Sequence, residues 1–366
     1  MQSRLLQLLG IIQPIIQAPM AGGTTPPALI AAACNAGALG CLGAGYLSPG
    51  QIAESIDAIR QLTNHPFAVN LFTYNPPSIN DFSDHQINSL ASAIGKYCQE
   101  LHIAAPTGAD ATPKYNLDDQ LKVLLAKKVP IFSFAFGIPT SDHMKILKDQ
   151  NVILLGTATT ASEARQLEAA GADAVIAQGS EAGGHRGTFG GSFESAMIGS
   201  MALIPQVVDS VKVPVIAAGG IMDGRGLAAA LALGAEAVQM GTAFLLCDEA
   251  NVQEGYRQAI LSREAEETKI TSVFSGRPAR GIKNRFMEEM EASGSTLLPF
   301  PLTDAMTKPM RAEARTKGLV DYINLWAGQA GRLARPMPAA KLIELVSSEA
   351  QERLRHLVNK LDEPGS

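Results

Sequence analysis

The sequence contains few of the residues that build disulfide or metal-linked frameworks. Its 366 residues include four cysteines, and these are Cys34, Cys41, Cys98 and Cys247, with no Cys-x-x-Cys pair among them. Scattered cysteines inside apolar runs are typical of reduced, buried thiols, so we expect a cytoplasmic protein without disulfides. The six histidines show no His-x-x-x-His or comparable spacing, and we therefore expect no metal site.

Neither an excess of positive charge nor a long apolar stretch is present. Thirty Lys and Arg residues against 35 Asp and Glu residues give a net charge of −5, and the basic residues are dispersed, so we expect no nucleic-acid partner. No apolar run approaches the roughly 20 residues that span a bilayer, and we expect no membrane partner. The hydrophobic share of 46% is typical of a globular enzyme with a well-buried core.

Short apolar runs alternate with longer amphipathic stretches along the chain. Continuous apolar runs are typical of parallel strands whose two faces are both covered. The eight runs are Pro14–Gln17, Leu39–Leu42, Phe67–Leu71, Pro130–Phe136, Val152–Gly156, Ala174–Gln178, Pro214–Ala218 and Ala237–Met240. The stretches between them have helical periodicity, for example in Pro49–Leu62, Ser162–Ala170 and Gly224–Leu233.

Eight strand-then-helix units in a chain of this length predict an α/β protein with the (β/α)₈ TIM-barrel fold. The alternative is a doubly wound open sheet, which calls for a Gly-x-Gly-x-x-Gly turn after the first strand. The first run is instead followed by Ala18-Pro19-Met20-Ala21-Gly22-Gly23. The glycine-rich segment Gly40–Gly45 also has the wrong spacing, and the barrel is the prediction.

Two segments are too long for ordinary barrel loops. Residues of about 73–117 are interpreted as a helical excursion, and the segment after the eighth strand contains a charged run, Ser262–Lys269, that we predict to be helical. Both follow the carboxyl ends of strands, where barrels build their active sites. We therefore assign 11–248 and about 308–345 to the barrel, about 249–307 to a helical lid over the substrate, and 346–366 to a C-terminal helix and tail.

The strongest functional signal is a pair of glycine-containing turns at the ends of the seventh and eighth strands. They contain Gly219-Gly220 and Gln239-Met240-Gly241-Thr242. Barrels commonly bind phosphate at these two strand ends, and glycine lets backbone N–H groups approach phosphate oxygens without interference from a Cβ atom. The alternative is that the glycines only make tight turns; their joint occurrence at the expected strands favours phosphate binding.

A second signal is the glycine-rich loop Gln178–Gly187, which follows the sixth strand and contains His185. A histidine at the catalytic face of a barrel suits proton transfer because its ordinary pKa lies near neutrality. The alternative is a histidine that only hydrogen-bonds the loop. The other five histidines follow helical or loop polarity and are interpreted as surface or structural residues.

Residues that could contact a flat ring also stand at the ends of the first, third and sixth strands. The backbone around Met20 can lie along a planar heterocycle, and the amides of Asn70 and Gln178 can meet the polar edge of such a ring. Combined with phosphate donors after the seventh and eighth strands, this arrangement predicts a mononucleotide cofactor over the barrel mouth.

Five longer stretches of the sequence give more specific information about function than these short motifs. They read PIIQAPMAGG, FAVNLF, GADAVIAQGSEAGGHRGTFGG, VPVIAAGGIMDGRGLAAALALGAEAVQMGTAFLLCDE and LWAGQAGRLAR. From about Pro14 to Arg335 the chain resembles the nitronate monooxygenase family, formerly called 2-nitropropane dioxygenase, and class I of that family in particular. The resemblance implies a barrel that binds FMN without a covalent link. It also implies oxidation of alkyl nitronates, such as propionate 3-nitronate, with O2 to a carbonyl compound and nitrite.

The resemblance further implies roles for individual residues. His185 matches the histidine that contacts the substrate and is the proposed base in members that accept neutral nitroalkanes. Tyr256 resembles a tyrosine that lines the class I substrate site. The flavin contacts fall on Met20, Ala21, Gly22, Asn70, Gln178, Gly183, Gly220, Gln239, Met240, Gly241 and Thr242.

Two positions depart from the family pattern. Ala135 stands where some class I members have a histidine, and the aromatic residue of the substrate pocket is Phe300, which has no hydroxyl group. Both departures leave the substrate preference open. An NAD(P)H-dependent flavin reductase of quinones or enoyl thioesters shares the glycine motifs and remains an alternative, as does a phosphate-binding barrel without redox chemistry. The extension Arg186–Phe189 and the run LWAGQ favour the monooxygenase.

Overall fold

The computed structural model describes residues 3–74, 76–111 and 116–362. Residues 75 and 112–115 of the predicted excursion and 363–366 of the predicted tail therefore lie outside the described residues. All eight predicted runs form strands, which confirms that part of the prediction. In chain order the strands are β1 Ile15–Gln17, β2 Cys41–Gly43, β3 Ala68–Phe72, β4 Ile131–Ala135, β5 Ile153–Ala158, β6 Ala174–Gln178, β7 Gly184–His185, β8 Val215–Ala218, β9 Ala237–Met240, β10 Thr268–Thr271 and β11 Ala279–Ile282.

The eight predicted strands form a closed barrel. They pair in parallel in the order β1-β9-β8-β6-β5-β4-β3-β2. The ring closes between β1 and the residues before β2, because Gln17 N donates to Leu39 O at 2.8 Å and Leu39 N donates to Ile15 O at 3.0 Å. The fold is the (β/α)₈ barrel that the alternation of apolar runs and amphipathic stretches predicts.

Alternate residues of each strand point into and out of the barrel. Ile16, Ile176 and Ile216 belong to one buried cluster, which also contains Leu5 and Leu9. These two leucines belong to the first helix, α1 (Arg4–Leu9). The helix therefore packs against side chains inside the barrel at its N-terminal end.

Helices cover the outside of the barrel and extend beyond it. They are α1, α2 Pro27–Asn35, α3 Pro49–Leu62, α4 Asp84–Glu100, α5 Leu117–Ala126, α6 Ser141–Asp149, α7 Ala161–Ala169, α8 Ser200–Ser210, α9 Gly224–Ala232, α10 Glu254–Leu261, α11 Arg285–Ala292, α12 Leu302–Thr316 and α13 Ala339–Asp362. Helix α3 begins as predicted because Ser48 and Gln51 form a reciprocal capping box ahead of Pro49. Helices α7 and α9 also agree with the predicted segments to within a residue.

A second apolar core lies beyond the carboxyl ends of the strands. It joins residues of α4, α10, α11 and α12, including Leu90, Ile260, Phe286 and Met306. The predicted excursion and the predicted lid thus pack against each other. Helix α12 crosses the boundary that we placed at 307–308, and α13 crosses the one at 345–346, so both boundaries fall inside helices.

The charged run Ser262–Lys269 is not a helix, and that prediction was wrong. Helix α10 ends at Leu261, a single 3₁₀ turn follows at Arg263–Glu266, and β10 begins at Thr268. The β-branched residues of Thr268–Thr271 pair antiparallel with β11, and β11 pairs with β7. Tertiary pairing here overrides the helical preference of the charged residues. Among the described residues no helix is both long and apolar enough to cross a membrane.

Candidate active site

A cavity of about 720 Å³ opens at the carboxyl ends of the barrel strands. Its size is within the range of small-molecule and cofactor sites. Its wall combines residues that follow β1, β3, β6, β8 and β9 with residues of α12 and the segment after it. Ten of the eleven predicted flavin-contacting residues line this cavity, so the fold brings together positions that are far apart in the sequence.

One side of the cavity is built from backbone at the end of β8. Gly219 and Gly220 have φ angles of +109° and +73°, which favour glycine. A Cβ atom at Gly220 would lie 3.3 Å from Cβ of Glu181. Consecutive glycines in this conformation leave N–H groups free of side-chain cover, and such an arrangement suits phosphate oxygens.

The end of β9 adds a hydroxyl group to the same side. Thr242 Oγ1 accepts a hydrogen bond from the N–H of Gly328 at 3.0 Å. Because that bond uses a lone pair, the hydroxyl hydrogen of Thr242 remains free to donate to a ligand. Gln239 and Gly241 also line the cavity. Met240 does not, because its side chain is 1% exposed and packs among the helices outside the barrel.

The segment after β1 forms a further part of the wall. Met20, Ala21 and Gly22 line the cavity, and Gly43 of β2 lies directly behind them. A Cβ atom at Gly43 would lie 2.6 Å from the backbone nitrogen of Ala21, so only glycine allows this approach. Backbone rather than side chain is therefore presented here, as the sequence predicts for contact with a planar ring.

The two predicted amide side chains line the cavity but are already hydrogen-bonded. Asn70 Nδ2 donates to Ser133 Oγ at 3.0 Å. Gln178 Nε2 donates to the carbonyl oxygen of His185 at 3.0 Å, and its Oε1 accepts from the N–H of Gly187 at 2.8 Å. Gln178 thus fixes the histidine loop as well as bordering the cavity, a role that the sequence did not reveal.

His185 lines the cavity and is held in one orientation. Its Nε2 lies 2.8 Å from Ser275 Oγ, and that hydroxyl donates to the carbonyl oxygen of Arg277 at 3.0 Å. Because a hydroxyl group has one hydrogen, Ser275 must accept from His185, so Nε2 carries the proton and Nδ1 carries the lone pair. The backbone of His185 pairs with Ala279 of β11.

The environment keeps His185 uncharged. Burial, and after it the positive charges of Arg277 and Arg311, lower the pKa of His185 to about 3. The guanidinium group of Arg277 lies 3.9 Å from the ring centre of Phe136, which lines the cavity beside the histidine. At neutral pH the imidazole can therefore accept a proton or a hydrogen bond, while the positive charge around it belongs to arginines.

The loop that carries His185 is fixed by a buried arginine. Arg186 is 1% exposed, and its guanidinium donates to the carbonyl oxygens of Gln178, Gly179 and Ala196 at 2.6 to 3.1 Å. Burial lowers the pKa of Arg186 to about 10, so the side chain stays charged at neutral pH. Charge-assisted hydrogen bonds of this kind are stronger than neutral ones and hold the loop tightly.

A buried carboxylate holds the next part of the same loop. Glu163 of α7 is fully buried, and its Oε1 accepts from the N–H groups of Phe189 and Gly190 at 2.6 and 2.7 Å. Its Oε2 accepts from the N–H and hydroxyl of Thr159 at 2.6 and 2.7 Å. Nothing in the sequence marks Glu163, which looks like an acidic residue in the first turn of a helix.

The two predicted substrate-pocket aromatics differ in position. Tyr256 lines the cavity and donates its hydroxyl to the carbonyl oxygen of Trp326 at 2.5 Å; burial raises its pKa above the usual range. Phe300 does not line the cavity within the described residues. Its ring lies 5.7 Å from the ring of His185 and 5.9 Å from that of Phe72, so it supports the cavity wall from behind.

Sequence reasoning missed the charged face of α12. Asp304, Lys308, Arg311 and Arg315 all line the cavity. Their spacing along the chain places them on one face of the helix, and in the sequence such a stripe resembles an ordinary solvent-exposed face. Only the packing of α12 over the barrel mouth distinguishes it.

The whole chain is similar to known proteins. It matches the nitronate monooxygenase family over residues 2–349. It is 42% identical to a probable nitronate monooxygenase of Staphylococcus aureus over 356 residues, which are 97% of this chain and 99% of the relative. A nitroalkane oxidase from Streptomyces ansochromogenes has a similar structure, with a TM-score of 0.88 and 40% identity, over 97% of this chain and 100% of that one. FabK from Thermotoga maritima has a TM-score of 0.75 and 31% identity over 98% and 99% of the two chains. The chain belongs to the nitronate monooxygenase family of oxidoreductases.

Proposed function

We propose that the protein is an FMN-dependent nitronate monooxygenase. It would use O2 to convert alkyl nitronates, such as propionate 3-nitronate, to a carbonyl compound and nitrite. The observation that carries this proposal is one cavity that is lined both by a glycine turn suited to phosphate and by a histidine that burial and the charges of Arg277 and Arg311 keep neutral. A phosphate-bearing cofactor suits the first feature, and an anionic substrate suits the second.

The residues of the cavity fit FMN. The turn at Gly219 and Gly220 and the hydroxyl of Thr242 would hold the phosphate, because these residues line the cavity and glycine at a positive φ leaves its backbone N–H without a side chain beside it. The backbone of 20–22 would lie along the ring system. Non-covalent binding is expected, since the four cysteines are buried and free and burial raises their pKa values, which makes them poor nucleophiles.

When bound, FMN supplies the electron-accepting chemistry, and the protein supplies position and charge. The positive charge of Arg311, which also acts on His185, attracts the anionic nitronate and holds it against the wall that contains His185. A neutral nitroalkane must also lose a proton from carbon, and the lone pair on Nδ1 of His185 is the acceptor. The nitronate anion that forms beside the imidazole raises the pKa of His185, so the transferred proton is stabilised on the histidine.

The test uses the protein as purified. Heat denaturation followed by chromatography of the released flavin should show FMN, and preformed propionate 3-nitronate should give nitrite only in the presence of oxygen. Released FAD, or no flavin, would overturn the cofactor assignment. Absence of nitrite from every alkyl nitronate tested would overturn the activity.

The reductase alternative is tested on the same preparation. We assign phosphate binding to the turn after β8 and propose no second phosphate position for a dinucleotide, so we expect NADH and NADPH to bleach the flavin absorbance slowly or not at all. Stopped-flow mixing without oxygen measures this directly. Complete bleaching by NADH within seconds, together with no reaction of the nitronate, would favour the reductase.

A further inference from the structure

One wall of the cavity carries more positive than negative charge. Within the described residues its charged members are Asp304, Lys308, Arg311 and Arg315 of α12. Arg311 is 7% exposed and donates to Asp304 Oδ1 at 2.8 Å. This ion pair uses the single carboxylate of the wall. Among the described residues, Lys308 and Arg315 are therefore left without a counter-ion in the wall.

Arg315 is the less exposed of these two cations. Its Nη2 donates to Asn324 Oδ1 at 2.8 Å, and Arg311 Nη1 approaches the same oxygen at 3.3 Å. In the part of the chain that the structure describes, no carboxylate lies within salt-bridge distance of Arg315. Burial and the neighbouring Arg311 lower the pKa of Arg315. A guanidinium in this position is stabilised when a ligand brings an anion.

Another part of the cavity wall is aromatic. Tyr46, Phe72 and Phe136 line it; the rings of Phe72 and Phe136 stack with centres 4.6 Å apart, and the ring of Tyr46 meets Phe72 edge-on at 5.3 Å. Ala135 lines the cavity beside them and adds only a methyl group. The non-glycine residue Phe136 has a φ angle of +76°, a conformation that costs free energy and is concentrated at functional sites.

We propose that these two walls select nitronates that carry a carboxylate remote from the reacting carbon and an aromatic body, with Arg315 as the carboxylate anchor. The proposal rests on the proposed function and narrows its substrate class. The carboxylate would neutralise Arg315, and the aromatic body would occupy the space that Ala135 leaves beside Phe72 and Phe136. Ring contacts of this kind typically contribute about 0.5–1.5 kcal/mol beyond buried area.

Four nitronates distinguish the effect of the carboxylate on kcat/KM from the effect of the phenyl ring. The nitronate of 1-nitrobutane carries neither group, and that of 4-nitrobutanoate carries only the carboxylate. The nitronate of (2-nitroethyl)benzene carries only the phenyl ring, and that of 4-nitro-3-phenylbutanoate carries both groups. We expect kcat/KM to be highest for the compound with both groups. A carboxylate that gives no advantage, or a phenyl group that lowers kcat/KM in both backgrounds, would overturn the proposal.

Two variants test which wall of the cavity causes the preference for a carboxylate and which causes the preference for a phenyl ring. Arg315→Met should lower kcat/KM roughly 10- to 100-fold for the two carboxylates, as expected for loss of a charged hydrogen bond, and change the other two less than about 3-fold. Ala135→Leu should lower kcat/KM only for the two phenyl compounds. Arg165→Met is the matched control, because Arg165 is exposed on α7 and its replacement changes net charge equally. Equal losses on all four substrates in Arg315→Met would contradict the anchor.

Binding without turnover separates this proposal from the proposed function. Calorimetry with 3-phenylbutanoate, which has both groups but no nitro group, should show binding to the flavin-loaded protein that weakens at least 10-fold in Arg315→Met. Arg315→Lys keeps a charge without the guanidinium geometry and should be intermediate, which provides a second variant if the methionine variant does not fold. Such binding without any nitronate oxidation would refute the monooxygenase and leave the anchor standing. No difference between wild type and either variant would refute the anchor.

Discussion

The two sides of the cavity are built by different means. The side that we propose for phosphate consists of backbone at strand ends, where Gly219 and Gly220 adopt conformations that favour glycine. Another part of the wall consists of side chains, with His185 on a braced loop and Arg311 and Arg315 on α12. A backbone site depends on glycines at fixed points of the fold, whereas a side-chain wall can change without altering the barrel. We infer that the first side holds a common cofactor and that the second sets the substrate.

The largest effect is expected on the backbone side. Gly220→Val places a branched side chain in the cradle and at a φ of +73°, so we expect flavin content to fall at least 10-fold and activity with it. Absorbance of the purified variant measures the flavin. Gly171→Val is the control, because Gly171 has a φ of +95° but lies outside the cavity. Wild-type flavin content in Gly220→Val would contradict the cradle; equal loss in both variants would indicate a folding defect.

A smaller loss that spares the cofactor is expected on the side-chain side. His185→Asn should keep a normal flavin spectrum and lower kcat/KM about 10²- to 10⁴-fold for neutral nitroalkanes, the usual range for loss of a proton-transfer group. The loss should be smaller for preformed nitronates, which need no proton abstraction. His65→Asn, at an exposed position, is the control. An equal and small loss on both substrate types would mean that His185 is not the base.

Removal of the carboxylate that holds the segment after the histidine loop should mainly lower the stability of the protein. Glu163→Gln replaces a carboxylate that accepts four hydrogen bonds by an amide whose NH2 group faces N–H donors. We expect the free energy of unfolding to fall by roughly 3 kcal/mol, as for a lost buried charged acceptor. Urea denaturation measures it, with exposed Glu54→Gln as control. A change below about 0.5 kcal/mol would show that the loop is held by other contacts.

The effect that is smallest near neutral pH concerns the protonation of His185. The folded pKa of His185 is about 3, below the value of about 6.5 for an unfolded histidine. Its contribution to stability is therefore complete above pH 6.5 and is lost as the pH falls from 6.5 toward 3. The urea midpoint should fall more steeply with acid in wild type than in His185→Asn. For preformed nitronates, kcat/KM should show no inflection near pH 6.5 that depends on His185; an inflection there would mean that the imidazole is solvated.

The sequence predicts most of the fold because the barrel strands are continuous apolar runs and the helices carry recognisable caps, as in α3. It also predicts the strand-end glycines, which depend on local backbone conformation. It does not predict Ser262–Lys269, where pairing with β11 decides the structure, or the outward packing of Met240. The charged face of α12 and the bracing by Glu163 depend on which surfaces meet in the folded chain, and no local pattern contains that information.

The pairing of β7 with β11 has a mechanical consequence. His185 and Gly184 are hydrogen-bonded to Ala279 and Arg280, which belong to the lid segment, and Arg186 N donates to Pro278 O at 2.9 Å. The lid therefore cannot swing away from the barrel as an independent flap unless this ladder breaks or the histidine moves with it. Displacement of the lid segment would therefore also displace His185.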